Sequence, residues 1–224
     1  IETLRHYDVT ELGKLMKLSD KLATLNVSRY ASWTGDGEKS ALFAFKGDVY
    51  RGLNPETLSE AGLHRAQKSL FILSGLYGLL PAFAGIEPHR LEMGTSLPTD
   101  RGKNLYAFWG ERITQLLNET SERLGSELVV ILASQEYFKS VKATSLRSQV
   151  ISPVFKDEKS GRYKVISIYA KRARGLLARH LLENEDSNSE RSLQAFTSEG
   201  YRYDPAGSTP AAPLFIRAEA DRPS

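Results

Sequence analysis

Apolar and aromatic positions crowd the stretch from Tyr163 to Tyr169, and from Ala170 onward their spacing changes to that of a helix. The first run, Tyr163-Lys164-Val165-Ile166-Ser167-Ile168-Tyr169, is β-branched and aromatic and reads as a short strand buried on both faces. On a helix, Ala170, Ala173, Leu176, Leu177, His180 and Leu181 then share one face, while Lys171, Arg172, Arg174 and Arg179 share the opposite one. No carboxylate interrupts that basic face. A strand feeding a helix with a wholly cationic outer side suits a phosphate-bearing ligand, because backbone N–H groups and cationic side chains converge at such a junction. A solvated helix face is the plainer alternative.

Elsewhere the pattern predicts a helix capped by Thr10, with Leu12, Leu15 and Met16 on its apolar side. A turn at Lys17-Leu18-Ser19 leads to a second helix from Asp20 toward Trp33. A further helix is expected from Asn54-Pro55-Glu56 through Leu58, Ala61, Leu63 and Ala66. Ala41 to Phe45 fits either a strand or a helix start. Ser69 to Leu80 reads as a buried strand ending in small residues, and Asn104 to Leu117 as one amphipathic helix with Leu105, Phe108, Trp109, Ile113 and Leu116 inside. Leu128 to Ala133 is the clearest buried strand. Val150 to Phe155 gives another, followed by a charged turn, Lys156-Asp157-Glu158-Lys159-Ser160-Gly161. From Gly200 the chain is rich in proline and glycine, with Leu214-Phe215-Ile216 as an edge strand and residues 205–224 as a partly disordered tail.

Composition adds a few exclusions. The 224 residues are 41% hydrophobic and 25% charged, ordinary for a globular protein with an ample core. Zero cysteines exclude disulfides, thiolate metal sites and cysteine nucleophiles, which fits a reducing compartment. No apolar run is long enough to cross a bilayer and no signal-peptide pattern is present, so a cytoplasmic setting is expected. The chain begins at Ile1 rather than a methionine, and missing native N-terminal sequence is expected. A net charge of +3 is modest, but its distribution is not even. The basic residues from Lys139 to Arg179 meet only Asp157 and Glu158 as acids, and an acidic stretch (Glu183, Glu185, Asp186, Glu190) follows. Such segregation points to an anionic partner, nucleic acid first.

Three strand ends carry the candidate chemistry: Ser74 and Tyr77; Ser134, Glu136, Tyr137 and Lys139; Lys171 and Arg174. Arg90 and Glu92, two apart in an extended loop after Pro88, face the same way, and either pair with each other or jointly hold a ligand. If these ends share one mouth, Tyr77, Arg90, Glu92, Glu136, Tyr137, Lys139 and Lys171 suit acid–base chemistry on an anionic or heterocyclic substrate. His6, His64, His89 and His180 are scattered, with no second ligand at helical or hairpin spacing, so no metal site or cofactor is expected and His180 reads as a core histidine. The two helices joined through Leu15-Met16-Lys17-Leu18-Ser19-Asp20-Lys21-Leu22-Ala23 resemble a helix-hairpin-helix, whose amides hold a DNA phosphate without reading sequence. Lys17 and Ser19 stand where that motif carries glycines, Ala23 is in place, and Lys14, Lys17 and Lys21 supply cations. An ordinary helical hairpin packed on the core is the alternative.

Taken together, S-G-L-Y-G-L-L, E-P-H-R-L-E-M-G-T, N-L-Y-A-F-W-G, L-A-S-Q-E-Y-F-K, the run from Ser152 to Gly175 and the late G-Y-R-Y-D-P resemble, in the same order, the YaaA family of bacterial peroxide-stress proteins. The resemblance implies a cytoplasmic protein that limits oxidative damage to DNA and protein by keeping unincorporated iron low. It also implies one mixed α/β domain of unusual topology over residues 1–224, with a central mixed sheet flanked by helices. DNA binding is implied too, through a basic cleft and the hairpin at residues 10–33. The expected phosphate contacts are Lys14, Lys17, Ser19, Lys21, Lys139, Lys171, Arg172, Arg174 and Arg179, on duplex or branched DNA without sequence preference. Two departures stand out. The family's opening strand, ending in Ser-Pro-Ala-Lys-Thr, is absent. The chain also reads Pro81-Ala82-Phe83-Ala84-Gly85 and Pro88-His89-Arg90 where the family shows Pro-Leu-Asp and Pro-Tyr-Arg. A reading from another class is an enzyme acting on a nucleobase, nucleotide or related small molecule, since pure backbone binding needs no Tyr77, Glu92, Glu136 or Tyr137. A third is a basic face that docks an acidic protein.

Overall fold

The computed structural model describes residues 1–184 and 190–223; Glu185 and Asp186 of the acidic stretch, and the terminal Ser224, lie outside them. In chain order the elements are α1 (Glu2–Arg5), α2 (Val9–Met16), α3 (Asp20–Ala31), β1 (Lys39–Ser40), α4 (Ala41–Ala44), α5 (Asp48–Leu53), α6 (Glu60–Ser69), β2 (Phe71–Ser74), β3 (Gly78–Pro81) and β4 (Gly85–Ile86). They continue as α7 (Leu105–Trp109), α8 (Arg112–Leu124), β5 (Leu128–Val130), α9 (Gln135–Phe138), β6 (Gln149–Ile151), β7 (Val154–Lys159), β8 (Arg162–Lys164), α10 (Ser167–Glu183), α11 (Glu190–Gln194), β9 (Arg202–Tyr203) and β10 (Leu214–Arg217). The class is mixed α/β, as expected. The chain forms two compact units, each assembled from three separated stretches. The first takes Ile1–Ala44, Phe71–Leu117 and Gln135–Thr144, and the second Phe45–Leu70, Asn118–Ser134 and Ser145–Ser224. No helix among the described residues is long and apolar enough to cross a membrane.

In the first unit, α2 and α3 form the helical hairpin. Asp8, not Thr10, caps α2: its carboxylate accepts from the Glu11 amide at 2.8 Å, and the Glu11 carboxylate accepts from the Asp8 amide at 3.0 Å. This reciprocal box satisfies two orphan donors at once, which a lone threonine does not. Leu12 and Met16 of α2, with Ala23, Asn26 and Tyr30 of α3, are buried, whereas Leu22 and Leu25 face solvent. Lys17 ends α2 at φ 54°, so a lysine holds the left-handed position that glycine usually takes. The expected single strand from Ser69 to Leu80 is instead the antiparallel hairpin β2–β3. The Ser74 hydroxyl accepts from the amides of Leu76 and Tyr77, both at 3.2 Å, and folds the chain back on itself. The expected helix from Asn104 to Leu117 is broken at Gly110, which at φ 53° ends α7 before α8 begins.

The second unit is built on a four-stranded mixed sheet in the order β8-β7-β10-β9, with β7 and β10 parallel and the other pairs antiparallel. Leu214–Arg217 is therefore an interior strand rather than the edge strand expected, because both its neighbours take up its ladder groups. Phe155, Phe196, Tyr201 and Phe215 pack with Ala170, Ala173 and Leu177 of α10. The run from Tyr163 to Tyr169 is not a buried strand. Only Arg162–Lys164 pairs, as an exposed sheet edge, and α10 has begun by Ser167. The charged turn is also smaller than expected. β7 continues through Asp157 and Glu158, and Ser160 and Gly161, both at positive φ, make the two-residue turn to β8.

That extension of β7 carries Asp157 into the interior, where it is fully buried. Its carboxylate accepts from Arg217 Nε at 2.7 Å and from the Tyr201 hydroxyl at 2.8 Å. Arg217 lies 4.3 Å from the centre of the Tyr201 ring, and Glu199 holds Arg172 through both carboxylate oxygens. On its other side α10 touches α5 backbone to backbone. A Cβ on Gly175 would sit 1.8 Å from the Val49 carbonyl, and one on Gly52 2.2 Å from the Arg172 carbonyl. Gly175→Ala is accordingly expected to cost about 1–3 kcal/mol by forcing the two helices apart, read as a lowered midpoint in chemical denaturation.

Candidate functional site

In the first unit, the loop of residues 87–95 is fastened at nearly every step. The Glu87 carboxylate accepts from the amides of Gly35 at 2.6 Å and Thr34 at 3.2 Å, and the Tyr77 hydroxyl accepts from the Glu87 amide at 3.0 Å. Tyr30 donates to the Arg90 carbonyl. Leu91 lies on Gly75, where a Cβ would come within 2.4 Å of its carbonyl oxygen, and the Trp109 ring covers Gly78 while its N–H donates to the Gly75 carbonyl at 3.0 Å. The close backbone approach that these two glycines permit is thus made by Leu91 and Trp109.

The loop held this way gathers most of the expected catalytic candidates. Arg90 and Glu92 pair at 2.7 Å, both about half exposed. Glu136, at the start of α9, accepts from the Gly94 amide at 2.9 Å, and a Cβ on Gly94 would stand 2.9 Å from that same carboxylate oxygen and push the Glu136 side chain aside. The Tyr106 hydroxyl donates to the Glu136 carbonyl at 3.0 Å, and the Lys139 ammonium lies 5.1 Å from the centre of the Tyr106 ring. Tyr137 sits among them. Burial above all, then the charges of Glu136 and Glu92, push its pKa up to about 12, against a bond from Met93 and the charge of Arg90. Arg90, Glu92, Glu136 and Tyr137 therefore form one cluster, with Lys139 joined to it through Tyr106. Two carboxylates, a neutral phenol and two cations can donate, accept and neutralise charge on a small polar ligand.

Tyr77 belongs to the other end of the loop, in an aromatic group with Trp33 and His89. Ring centres are 5.2 Å apart for Tyr77 and His89 and 5.9 Å for Trp33 and Tyr77. Burial holds the His89 imidazole below its ordinary pKa, so it is neutral at neutral pH. Trp33 and Tyr106 were missed as members of these groups. Each reads along the sequence as a helix residue, and only the fold brings the loop to them.

Neutral phenols buried in this unit have a consequence at high pH. Tyr30 is also pushed up to about 12, chiefly by burial. A raised folded-state pKa stabilises fully below the unfolded value of about 10 and is lost as pH rises through the folded value. Stability is expected to fall between those two pH values in step with tyrosinate absorbance, and Glu136→Gln is expected to move the Tyr137 titration downward.

The expected phosphate contacts divide by their partners. Lys14, Lys17 and Lys21 are exposed, with no carboxylate on any of them among the described residues. Ser19 caps α3 by position only, its side chain making no bond to the helix amides. In the second unit Lys171 is exposed and Arg174 is half-buried, its pKa lowered by burial; neither side chain has a carboxylate partner among the described residues. Arg172 instead serves Glu199. Arg179 donates to the carbonyls of Leu53 at 3.2 Å, Asn54 at 3.0 Å and Thr57 at 2.7 Å and to the Thr57 hydroxyl at 2.9 Å, so it closes the end of α5. His180 packs edge-on against Phe196 and bonds the Ser192 carbonyl at 2.9 Å.

A family model described as peroxide stress protein YaaA matches residues 1–207. A UPF0246 protein of Marinomonas sp. (strain MWYL1) is 54% identical over 227 residues, covering 100% of this chain and 86% of the relative. One from Shewanella halifaxensis (strain HAW-EB4) is 52% identical, covering 97% of this chain and 86% of the relative. Another from Aliivibrio fischeri (strain MJ11) is 50% identical, with coverage of 99% and 87%.

Proposed function

The chain belongs to the YaaA family of peroxide stress proteins, and on that premise we propose that it protects the cytoplasm during peroxide stress by binding DNA through the phosphate backbone. The observation that carries this reading is the division among the cations. Lys14, Lys17, Lys21, Lys139, Lys171 and Arg174 have no carboxylate partner among the described residues, while Arg172 and Arg179 are occupied within the protein. Phosphate contacts come from the free set. Bound DNA is shielded, and the same response keeps unincorporated iron low, which is read as the electron-spin-resonance signal of chelatable iron in cells with and without the protein.

Fluorescence anisotropy with a labelled duplex tests the binding. Affinity falls with a log–log salt slope of about 0.9 per phosphate neutralised. A flat salt dependence, or no binding at low salt, overturns the reading.

A second reading rests on the cluster of Arg90, Glu92, Glu136 and the buried Tyr137. It takes the first-unit cluster as a site for a nucleobase-like or anionic small molecule. Thermal-shift screening of nucleobases and nucleotides tests it. A ligand that stabilises the wild type but not Glu92→Gln or Glu136→Gln supports it, and an empty screen with full complementation by both variants removes it.

A further inference from the structure

The segment expected to be a buried strand is the most apolar exposed stretch of the second unit. Tyr163 is 39% exposed, Val165 56% and Ile168 57%, all within six residues. Scattered exposed hydrophobics are ordinary, and three within one short segment set this one apart. Its charge is of one sign. No carboxylate occurs from Gly161 to Leu182, and the side chains of Arg162, Lys164 and Lys171 have no hydrogen-bond or ion-pair partner among the described residues. The acids that face the segment across the sheet are engaged: Asp157, opposite Lys164, by Arg217 and Tyr201, and Glu158, opposite Tyr163, by the Glu219 amide at 3.1 Å.

We propose that Val165 and Ile168, flanked by Arg162, Lys164 and Lys171, form an apolar wedge that enters a nucleic acid duplex and partly unstacks a base step. The inference rests on the DNA-binding reading and adds to it a contact that phosphate neutralisation does not supply. One or two branched side chains with cations on either side are what such a wedge requires, the cations holding the phosphates on both edges of the groove. A second copy of this chain fits less well, because antiparallel pairing of two β8 edges would set Arg162 against Lys164. A lipid surface calls for a longer amphipathic face than these three residues provide.

The test uses the full chain and a duplex carrying 2-aminopurine, whose fluorescence rises when it is unstacked, with anisotropy recorded on the same samples. Wild type is expected to raise the fluorescence on binding. Val165→Ser/Ile168→Ser is expected to lose that rise and roughly tenfold in affinity while keeping the wild-type salt slope and melting temperature. Wild-type binding with no fluorescence rise, or a rise that the double variant keeps, overturns the wedge and leaves phosphate binding standing. A double variant that changes self-association, or loses sedimentation with anionic vesicles, while its fluorescence response is intact, overturns the wedge in favour of that other partner. No DNA binding by wild type overturns the wedge together with the reading beneath it.

Discussion

Asp157→Ala is expected to cost about 3–5 kcal/mol of stability, the penalty typical of stripping one partner from a buried ion pair. Arg217 is only 3% exposed, so its charge would remain in the interior without its main counterion, and the Tyr201 hydroxyl would lose its acceptor. Glu199 makes up little of the deficit. It is 3.8 Å from Arg217 and already committed to Arg172. Total stabilities of about 5–15 kcal/mol are usual, so about a fifth or more of the margin depends on this residue. Asp157→Asn is expected to fare little better, since it restores a hydrogen-bond acceptor but not the charge. Arg217→Met combined with Asp157→Ala should cost less than the two changes added together, because neither charge is then stranded. Urea denaturation followed by circular dichroism measures wild type, Asp157→Ala, Asp157→Asn, Arg217→Met and the double variant. A loss below about 1 kcal/mol for Asp157→Ala would mean that the network contributes no more than a surface pair.

The second large effect is on binding. Replacing Lys14, Lys17 and Lys21 together with glutamine removes three cations from the α2–α3 hairpin and touches no buried contact, as all three are exposed. If each neutralises one phosphate, the log–log salt slope falls by about 2.7, and near 0.1 M salt affinity for duplex DNA drops by roughly 500-fold. Lys17 needs a separate control. It occupies a left-handed position, and Lys17→Gly, which favours that conformation, should lose binding without losing stability. If the triple variant binds as wild type does, the hairpin is an ordinary helical pair and DNA contact lies elsewhere.

Periodicity located what local forces decide. The hairpin at Lys17, the second helix from Asp20, the strand from Leu128 (three half-buried residues rather than six buried ones) and the basic helix after Ala170 were legible because each has a strong pattern bounded by turn or cap residues. Boundaries set by tertiary contact were not. α10 begins at Ser167, three residues before its buried face starts at Ala170, so Ile168 within it and Val165 before it both stay exposed. Asp157 and Glu199 lie in charged or loop-like sequence, and nothing local says that one is buried against Arg217 and that the other pairs with Arg172. In the candidate site, the Arg90–Glu92 pair followed from a spacing of two in an extended loop. The approach of Glu136 to Gly94, some forty residues away in sequence, depends on how the loop is fastened to Gly75, Tyr30 and Gly35. Arg179 shows the limit most clearly. By composition it is one more cation on a basic face, and only its four acceptors at the end of α5 reveal that it builds the protein.

The most direct measurement sets Lys171→Gln/Arg174→Gln beside Arg179→Gln on one helix, recording for each the salt slope of duplex binding and the melting temperature. Free cations that hold phosphates should lower the slope by about 1.8 in the first protein and leave its melting temperature in place. The second should melt earlier with its slope unchanged. A slope that ignores Lys171 and Arg174 but falls with Arg179 would contradict the division between free and occupied cations on which the DNA-binding account stands.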